Sequence, residues 1–274
     1  TFGSTDATTG EWIINTSPTV TYGDNGFFIF KDNASVTDLS GEGNNWTASN
    51  GTLTPTEDCP DDIFATLNPL TNDAGGAKTY SFGNTKVAET ANSWTSAHST
   101  LACAAGKYYF EAKVTYTSGT EAYIGACSQQ GILDKVNATH YLGQTVDSVG
   151  FYTGDGNYYK GAGAVSYGSA VTSGQVVGCA LDLTNNFIYF SINGTWQNSG
   201  VPTSGASGTG GISLPSGMTG GEFMCLSVSP NESYLECNYG NGYFGTTVIS
   251  SEGTNASNIG KFEYDVPTGF TALS

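Results

Sequence analysis

Short apolar and aromatic runs, separated by clusters of Gly, Asn, Asp and Ser, recur along most of this chain. The clearest run is FIYFSI at 187–192, where large side chains alternate with the period of two that is typical of a strand. It follows the apolar segment 175–183 and the polar turn TNN at 184–186. Asn193-Gly194 comes directly after it, and both residues tolerate the positive φ of a tight hairpin turn. The pattern therefore predicts consecutive antiparallel hairpins.

The same alternation predicts strands along the rest of the chain. They are expected at 26–30, 79–84, 85–90, 107–116, 121–128, 149–152, from 158, at 222–230, 234–239 and 262–266. The runs 222–230 and 234–239 are expected to form a hairpin through Asn231-Glu232. Only 129–147 has a helical pattern, of one turn at most, and 200–221 reads as a long mobile Gly/Ser loop. The prediction is an all-β, antiparallel, concanavalin-like β-sandwich.

Three segments carry a family resemblance. The run G-x-x-V-G-C-A-L-D-L-x-x-x-x-I-Y-F-S-x-N-G resembles the central hairpin of SPRY domains. GKYYFE at 106–111 resembles their opening strand, and FEYDVPTGF at 262–270 resembles their closing segment. The resemblance covers roughly residues 77–274 and implies a SPRY-type sandwich. It implies little about function, because one fold serves many partners.

The N-terminal part has a different pattern. Residues 1–25 read as an arm or linker, and 26–76 as a laminin-G-like strand followed by a connector rich in proline. GFFIF at 26–30, followed by D-x-S-G-x-G-N and a SPRY-like module, resembles virion proteins of marine tailed bacteriophages, of the tail-fibre or appendage type. That resemblance implies an extracellular virion module whose partners are other virion subunits and a host-surface glycan or protein. It also implies a homo-oligomer, with a trimer favoured.

Charge narrows the classes of partner. The chain has 24 Asp and Glu against 8 Lys and Arg, a net charge of −16. Nucleic acids and anionic membrane surfaces are bound mainly through Lys and Arg, so both are disfavoured. No apolar run reaches the ~18 residues of a membrane-spanning helix. The 16 tyrosines and 14 phenylalanines supply enough apolar surface for a packed core.

Catalytic and metal-binding patterns are weak. A glycosidase of this fold class needs two carboxylates on one strand face, about 5 Å apart for retention, whereas Glu111 and Glu236 each stand alone in their strands. The two histidines, His98 and His140, have no serine nucleophile motif of the form G-x-S-x-G to act with in this sequence. We predict no enzyme and no cofactor. Oxygen-rich turns such as the one at Asp38 have two interpretations. They could bind calcium, or they could be Asx turns that form without any ion.

The six cysteines have no C-x-x-C spacing, which disfavours zinc. Cys127, Cys179 and Cys225 lie in apolar strand patterns, and this favours buried thiols that pack as small apolar groups. A disulfide that involves Cys225 or Cys237 remains the alternative.

Aromatic and polar residues near the predicted turns form a candidate ligand-binding set. These are Asp155, Asn157, Tyr158, Tyr159, Tyr167 and Trp196. The alternative is that their rings cover the edge of the core. The virion module is the main functional hypothesis. The two others are a hydrolase that degrades surface glycans and a cellular SPRY adaptor that binds peptides.

Overall fold

The fold comes from a computed structural model and divides into two compact units, residues 1–55 and 56–274. The sequence-based boundaries after residues 25 and 76 stay a prediction. The residues that the structure describes are 3–15, 19–30, 35–50, 53, 55–59, 61–71, 78–135, 141–249 and 251–274.

The first unit begins with a small antiparallel hairpin of β1 (Gly3–Thr5) and β2 (Trp12–Ile14). The strand predicted at 26–30 is wrong. Phe28 donates its N–H to the Asp38 carboxylate (2.8 Å), and Phe30 has a φ of 64°, which ends any extended run. The same carboxylate accepts from Ser40 and Asn44, so the Asp of the D-x-S-G-x-G-N motif organises a turn, as the motif implied.

Most of the regular secondary structure in the second unit is β-strand. In chain order they are β3 (Thr79–Ser81), β4 (Lys86–Glu89), β5 (Ala97–His98), β6 (Lys107–Ser128), β7 (Ser148–Tyr152), β8 (Asn157–Lys160), β9 (Gly163–Ser166), β10 (Val176–Asp182), β11 (Phe187–Ile192), β12 (Thr195–Trp196), β13 (Ile212–Ser213), β14 (Met224–Asn238), β15 (Tyr243–Phe244) and β16 (Thr247–Val248). One helix, α1 (Gln129–Lys135), follows β6 and is about one turn longer than predicted. The stretch 200–221 contains β13 and 3₁₀ turns at Pro202–Ser207 and Ser216–Met218, rather than forming one long loop.

Two long strands build both layers of the sandwich. The first part of β6 pairs with β10, and its last part pairs with β7, while β14 runs antiparallel along both parts. One layer has the order β12-β11-β10-β6-β14-β4-β3, and the other contains β9, β8, β7, the far ends of β6 and β14, and β5. The predicted antiparallel concanavalin-like sandwich is confirmed.

The hairpin predicted at Asn231-Glu232 is wrong, because β14 passes through this position without reversing. The register against β6 shifts between Asn231 and Ser233, and Glu232 has a φ of 46°. Such a bulge bends a strand and increases its twist without ending it. The bend lets a single strand serve both layers.

The core lies between the layers. Phe151 on β7 stacks on Phe190 of β11 at 5.3 Å, and Tyr167 meets both rings edge-on. Phe110 on β6 stacks on Tyr239 at 5.2 Å. Phe151 and Phe190 come from strands that are not hydrogen-bonded neighbours, so their contact holds the two layers face to face, whereas Phe110 and Tyr239 lie side by side, on β6 and just past the end of the neighbouring β14.

The outer face of the β10–β6–β14 layer is covered by the C-terminal segment. Phe262 packs edge-on against Tyr109 of β6 at 5.1 Å. The strand predicted at 262–266 is not formed. The C-terminal segment makes isolated parallel bridges instead, such as that between Tyr108 and Thr271. This outer face is therefore part of the interior of the protein.

Candidate binding surface

The outer face of the other layer carries a row of tyrosines, and strand register explains why. Tyr123 of β6 lies directly opposite Tyr152 of β7, and Tyr159 of β8 lies opposite Gly150, two residues before Tyr152. Paired residues and residues two apart share a face of a sheet. The intervening Phe151 points the other way, into the core.

Five rings form one cluster on this face, which we call the aromatic cluster. Its members are Trp94, Tyr123, Tyr141, Tyr152 and Tyr159. The Tyr123 ring lies between those of Tyr141 and Tyr152, with centroids 4.7 and 4.8 Å away, while Trp94 (5.0 Å) and Tyr159 (5.3 Å) meet it at steep angles. Tyr123 is only 3% exposed, whereas the other four rings remain partly exposed.

Tyr141 reaches the cluster because the chain crosses the sheet over a glycine. A Cβ on Gly150 would lie 2.5 Å from the carbonyl oxygen of Leu142, so only glycine allows this approach. Gly143 donates its N–H to the Ser148 hydroxyl at 2.9 Å, and it has a φ of 87°. This segment therefore lies flat on the strands and places Tyr141 against Tyr123.

Trp94 is positioned by a buried carboxylate. Glu89, at the end of β4, accepts N–H hydrogen bonds from Ala91 (2.6 Å), Ser93 (3.3 Å) and Glu232 (3.2 Å). Glu89 is 1% exposed, so these bonds are made where water does not compete. They fix the loop that presents Trp94 and tie it to the bulge of β14.

Acidic groups flank the rings. Glu121 lies two residues before Tyr123 on the same face of β6, and it accepts hydrogen bonds from the Tyr152 hydroxyl (3.1 Å) and the Asn231 amide (2.7 Å). Burial, followed by the charge of Glu121 and then that of Asp155, raises the pKa of Tyr152 above its usual value. Burial likewise raises the pKa of Tyr123 and Tyr141, so these phenols stay neutral at physiological pH.

Of the six candidate residues, one belongs to the aromatic cluster and that residue is Tyr159. Tyr158 packs edge-on against the buried Tyr167 at 5.9 Å, on the core side of the sheet. Trp196 lies in the other layer, 6.4 Å from the ring of Tyr109. The structure therefore distributes these rings over different faces.

The polar candidates lie in the turn between β7 and β8. The Asp155 carboxylate accepts from the Asn157 N–H (2.8 Å) and from its side-chain amide (2.7 Å), which closes the turn. A ligand role for any of the six candidates stays a prediction.

Sequence reasoning missed Trp94, Tyr123, Tyr141 and Tyr152. They are spread over about 60 residues of sequence and lie in four different segments. The available signal was the alternation of YIGAC and VGFYTG, which places Tyr123 and Tyr152 on the faces opposite Ile124 and Phe151. No local pattern shows that Trp94 and Tyr141 meet them.

Glu111 is the group whose titration most resembles that of a catalytic acid. Burial raises its pKa to about 7, although hydrogen bonds from the N–H groups of Glu263 and Tyr264 oppose this. Its side chain is 0% exposed beneath the C-terminal segment, and both oxygens accept from protein donors. No substrate oxygen can reach it in this conformation, so it is not placed for glycoside hydrolysis.

Most of the other reactive side chains among the described residues are hydrogen-bonded or buried; the thiol of Cys59 is exposed. His98 shares a hydrogen bond of 2.8 Å with the Ser227 hydroxyl, and His140 lies outside the described residues. All six cysteines are thiols, and the predicted burial of Cys127, Cys179 and Cys225 is confirmed. Burial raises the pKa of Cys225 to about 11, so it is not a thiolate at neutral pH.

No cluster of three or more His, Cys, Asp or Glu suited to a metal ion occurs among the residues that the structure describes. Within those ranges there is also no helix with the length and apolarity needed to cross a bilayer.

Comparisons with known proteins place this geometry in a family context. Residues 107–213 match the family model of the SPRY domain. Zebrafish Ran-binding protein 9 is 34% identical over 96 residues, which is 34% of this chain and 15% of that protein. Human Ran-binding protein 9 has the same identity over 12% of its length, and the protein of the frog Xenopus tropicalis is 31% identical over 122 residues, 44% of this chain and 21% of that protein.

A solved structure, the SPRY domain of human HERC1, aligns with a TM-score of 0.45 and 13% identity, covering 62% of this chain and 96% of that one. Among the Ran-binding proteins, the chain spans about 15% of the length of the zebrafish relative that it matches. The predicted resemblance to SPRY domains is confirmed for residues 107–213.

The virion assignment is wrong. The relatives are Ran-binding proteins of animals, whereas the phage resemblance rested on N-terminal segments in which the predicted strand is not formed. The predictions that depended on it are wrong as well: the tail-fibre role, the virion and host-glycan partners, the trimer that followed from fibre analogy, and the extracellular location. The matches favour the alternative, a cellular SPRY-type adaptor.

Proposed function

We propose that residues 77–274 form a non-catalytic binding module that recognises a peptide segment of a partner protein through the aromatic cluster. The observation that carries the proposal is the cluster itself: five aromatic side chains meet on the outer face of a sheet, and four of them remain partly exposed. Aromatic residues are enriched at protein interfaces because they bury large areas at little entropic cost.

The way the cluster is held supports a binding role. Trp94 is fixed through Glu89, and Tyr141 through the close passage over Gly150. A rigid surface loses little conformational entropy when a ligand binds, and this increases affinity. Glu89 and Gly150 are both buried, so these supporting contacts do not compete with a ligand.

The family context supports the same function. The matched relatives carry binding in their names, and the segment that matches the SPRY family model, residues 107–213, includes Tyr123, Tyr141, Tyr152 and Tyr159. Glu111, the carboxyl group with the raised pKa, is inaccessible. The proposal therefore assigns recognition, not turnover, to this module.

A selection experiment tests the proposal. A random peptide library displayed on yeast is enriched for binders of the intact chain, and the recovered peptides are tested against a Trp94→Ala variant. Phe223→Ala is the matched control, because Phe223 is 55% exposed and does not belong to the aromatic cluster. Both variants are first checked by thermal unfolding.

We expect the selected peptides to lose at least about tenfold in affinity for Trp94→Ala, as for an aromatic residue at the centre of an interface. Phe223→Ala should bind as the unchanged chain does. Peptides that bind Trp94→Ala and the unchanged chain equally well would show that the cluster is not the binding surface.

A further inference from the structure

We propose that the aromatic cluster binds a basic peptide segment, with an arginine guanidinium over the tyrosine rings and hydrogen-bonded to Glu121. The inference rests on the proposed function and adds the chemistry of the ligand. It is carried by three features of this surface: neutral rings, uncompensated carboxylates, and more hydrogen-bond acceptors than donors.

The rings supply a surface suited to a cation. The Tyr123 ring has a neighbouring ring on each face, those of Tyr141 and Tyr152, and these two keep part of their own surface exposed. Neutral phenol rings carry negative charge on their faces and attract a cation within ~6 Å of the centroid. The hydrogen bond from the Tyr152 hydroxyl to a carboxylate adds electron density to that ring.

Carboxylates outnumber basic groups around the cluster. Glu121 and Asp155 lie close enough to Tyr152 to affect its titration, and Glu232 follows the Asn231 that binds Glu121. Two lysines also flank this region and keep their positive charge. Lys160 donates to Ser213, and Lys78 donates to the carbonyl groups of Thr71 and Ser96. A cationic ligand would therefore meet net attraction here and an acidic ligand net repulsion.

Acceptors outnumber donors at the same point. Glu121 accepts one hydrogen bond on each carboxylate oxygen, although a carboxylate can accept about four. Glu121 is only partly buried, so the remaining acceptor positions of its carboxylate are accessible to a ligand. A ligand that brings N–H groups would therefore gain most, because hydrogen bonds to a charged acceptor are the stronger ones.

An arginine side chain fits this combination better than a lysine. Its guanidinium is planar and weakly hydrated, and it can lie on aromatic faces while its N–H groups donate in the ring plane to a carboxylate. A lysine ammonium would satisfy the charge but lose the stacking. We therefore expect a graded preference of arginine over lysine, with neutral and acidic side chains excluded.

Defined probes test the inference. Four fluorescein-labelled peptides share one Gly/Ser backbone and carry arginine, lysine, citrulline or glutamate at the same positions; citrulline keeps the shape of arginine without its charge. Their binding to the intact chain is measured by fluorescence anisotropy at low and at physiological ionic strength. The variants are Glu121→Gln and, as a second change in the same surface, Asp155→Asn. Glu252→Gln is the control that removes the same charge from another exposed carboxylate.

We expect the arginine peptide to bind about five- to tenfold more tightly than the citrulline peptide, which is the range of a partly desolvated cation–π and charge pair. Glu121→Gln should remove most of this preference and Asp155→Asn part of it, while Glu252→Gln leaves it unchanged. Equal binding of arginine and citrulline peptides, or equal effects of Glu121→Gln and Glu252→Gln, would overturn the inference.

The two proposals fail separately. If the yeast selection yields peptides that depend on Trp94 but are neutral or acidic, the binding function stands and the basic-ligand inference is wrong. If the arginine preference is present but insensitive to Trp94→Ala, a general attraction to this acidic protein explains it, and the proposed site is wrong as well.

Discussion

Glu111 allows a direct test of how the C-terminal segment is held. Its carboxylate is 0% exposed and accepts from four donors: Tyr109 Oη (3.1 Å), Asn238 Nδ2 (3.3 Å) and the N–H groups of Glu263 (2.9 Å) and Tyr264 (2.8 Å). Burial favours the protonated acid, whereas the four donors favour the carboxylate. The balance raises the pKa to about 7 from an ordinary value of 4.5.

A pKa that is higher in the folded state has a definite consequence for stability. The folded protein binds more protons than the unfolded chain between pH 4.5 and about 7, so the free energy of unfolding falls as pH rises through this window. The pKa of about 7 in the folded state and 4.5 in the unfolded chain together correspond to a loss of about 3 kcal/mol in the free energy of unfolding across that window. Carboxylates with a lowered pKa, such as Asp265, titrate below 3.8 and act outside it.

The perturbation is Glu111→Gln, which is neutral at every pH. Urea unfolding is followed by tryptophan fluorescence from about pH 4 to about pH 9, for both proteins. Any other group that titrates in this window is present in both proteins, so the difference between the two proteins isolates Glu111. We expect the unchanged protein to lose about 3 kcal/mol relative to Glu111→Gln as pH rises.

The variant has a cost of its own, which does not depend on pH. A Gln side chain keeps one acceptor oxygen, and its amide must face either Tyr264 or Glu263, leaving an N–H without an acceptor at about 1–3 kcal/mol. This lowers the whole curve for Glu111→Gln without changing its slope. The expected loss is refuted if the free energy of unfolding of the unchanged protein, relative to that of Glu111→Gln, stays constant or rises with pH. The four donors would then balance or outweigh burial, and the pKa of Glu111 would not be raised.

Three other changes test the packing. Gly150→Ala should destabilise the protein by about 1–3 kcal/mol, because the new Cβ would meet the Leu142 carbonyl, and it should also weaken peptide binding, both measured on one preparation. Phe190→Ala should cost about 3–5 kcal/mol in urea unfolding, and a loss below about 1 kcal/mol would contradict its central place in the core. Lys107→Met should cost about 1–3 kcal/mol by leaving the fully buried Asp182 carboxylate without its cation at 2.9 Å; an unchanged thermal midpoint would disprove this.

Local pattern was enough to predict the class of fold. The hairpin of β10 and β11 follows from the alternation at 187–192 and from the turn before it, and in the structure the two strands pair antiparallel, from Val177 opposite Ile192 to Asp182 opposite Phe187. Turn chemistry and alternation act over a few residues, so a sequence displays them directly. The same reasoning failed at Asn231-Glu232, where Glu232 has a φ of 46° but the strand forms a bulge instead of reversing.

The candidate site could not be predicted in the same way. Tyr158 and Tyr159 are adjacent in sequence and were assigned to one surface, yet strand alternation sends Tyr158 to the core and Tyr159 to the aromatic cluster. Trp94 and Tyr141 join that cluster only because loops cross the sheet at particular points. Such contacts depend on the tertiary arrangement of distant segments, which no local pattern records.

The two outer faces of the sandwich differ in how their carboxylates are paired. On one face the buried Glu111 carboxylate meets four donors, two of them supplied by the chain's own C-terminal segment. On the other face Glu121 is only partly buried and accepts from two donors, Tyr152 and Asn231. A carboxylate can accept about four hydrogen bonds, so Glu121 keeps acceptor positions that a ligand can fill. We therefore expect a partner to donate to Glu121 as the C-terminal segment donates to Glu111.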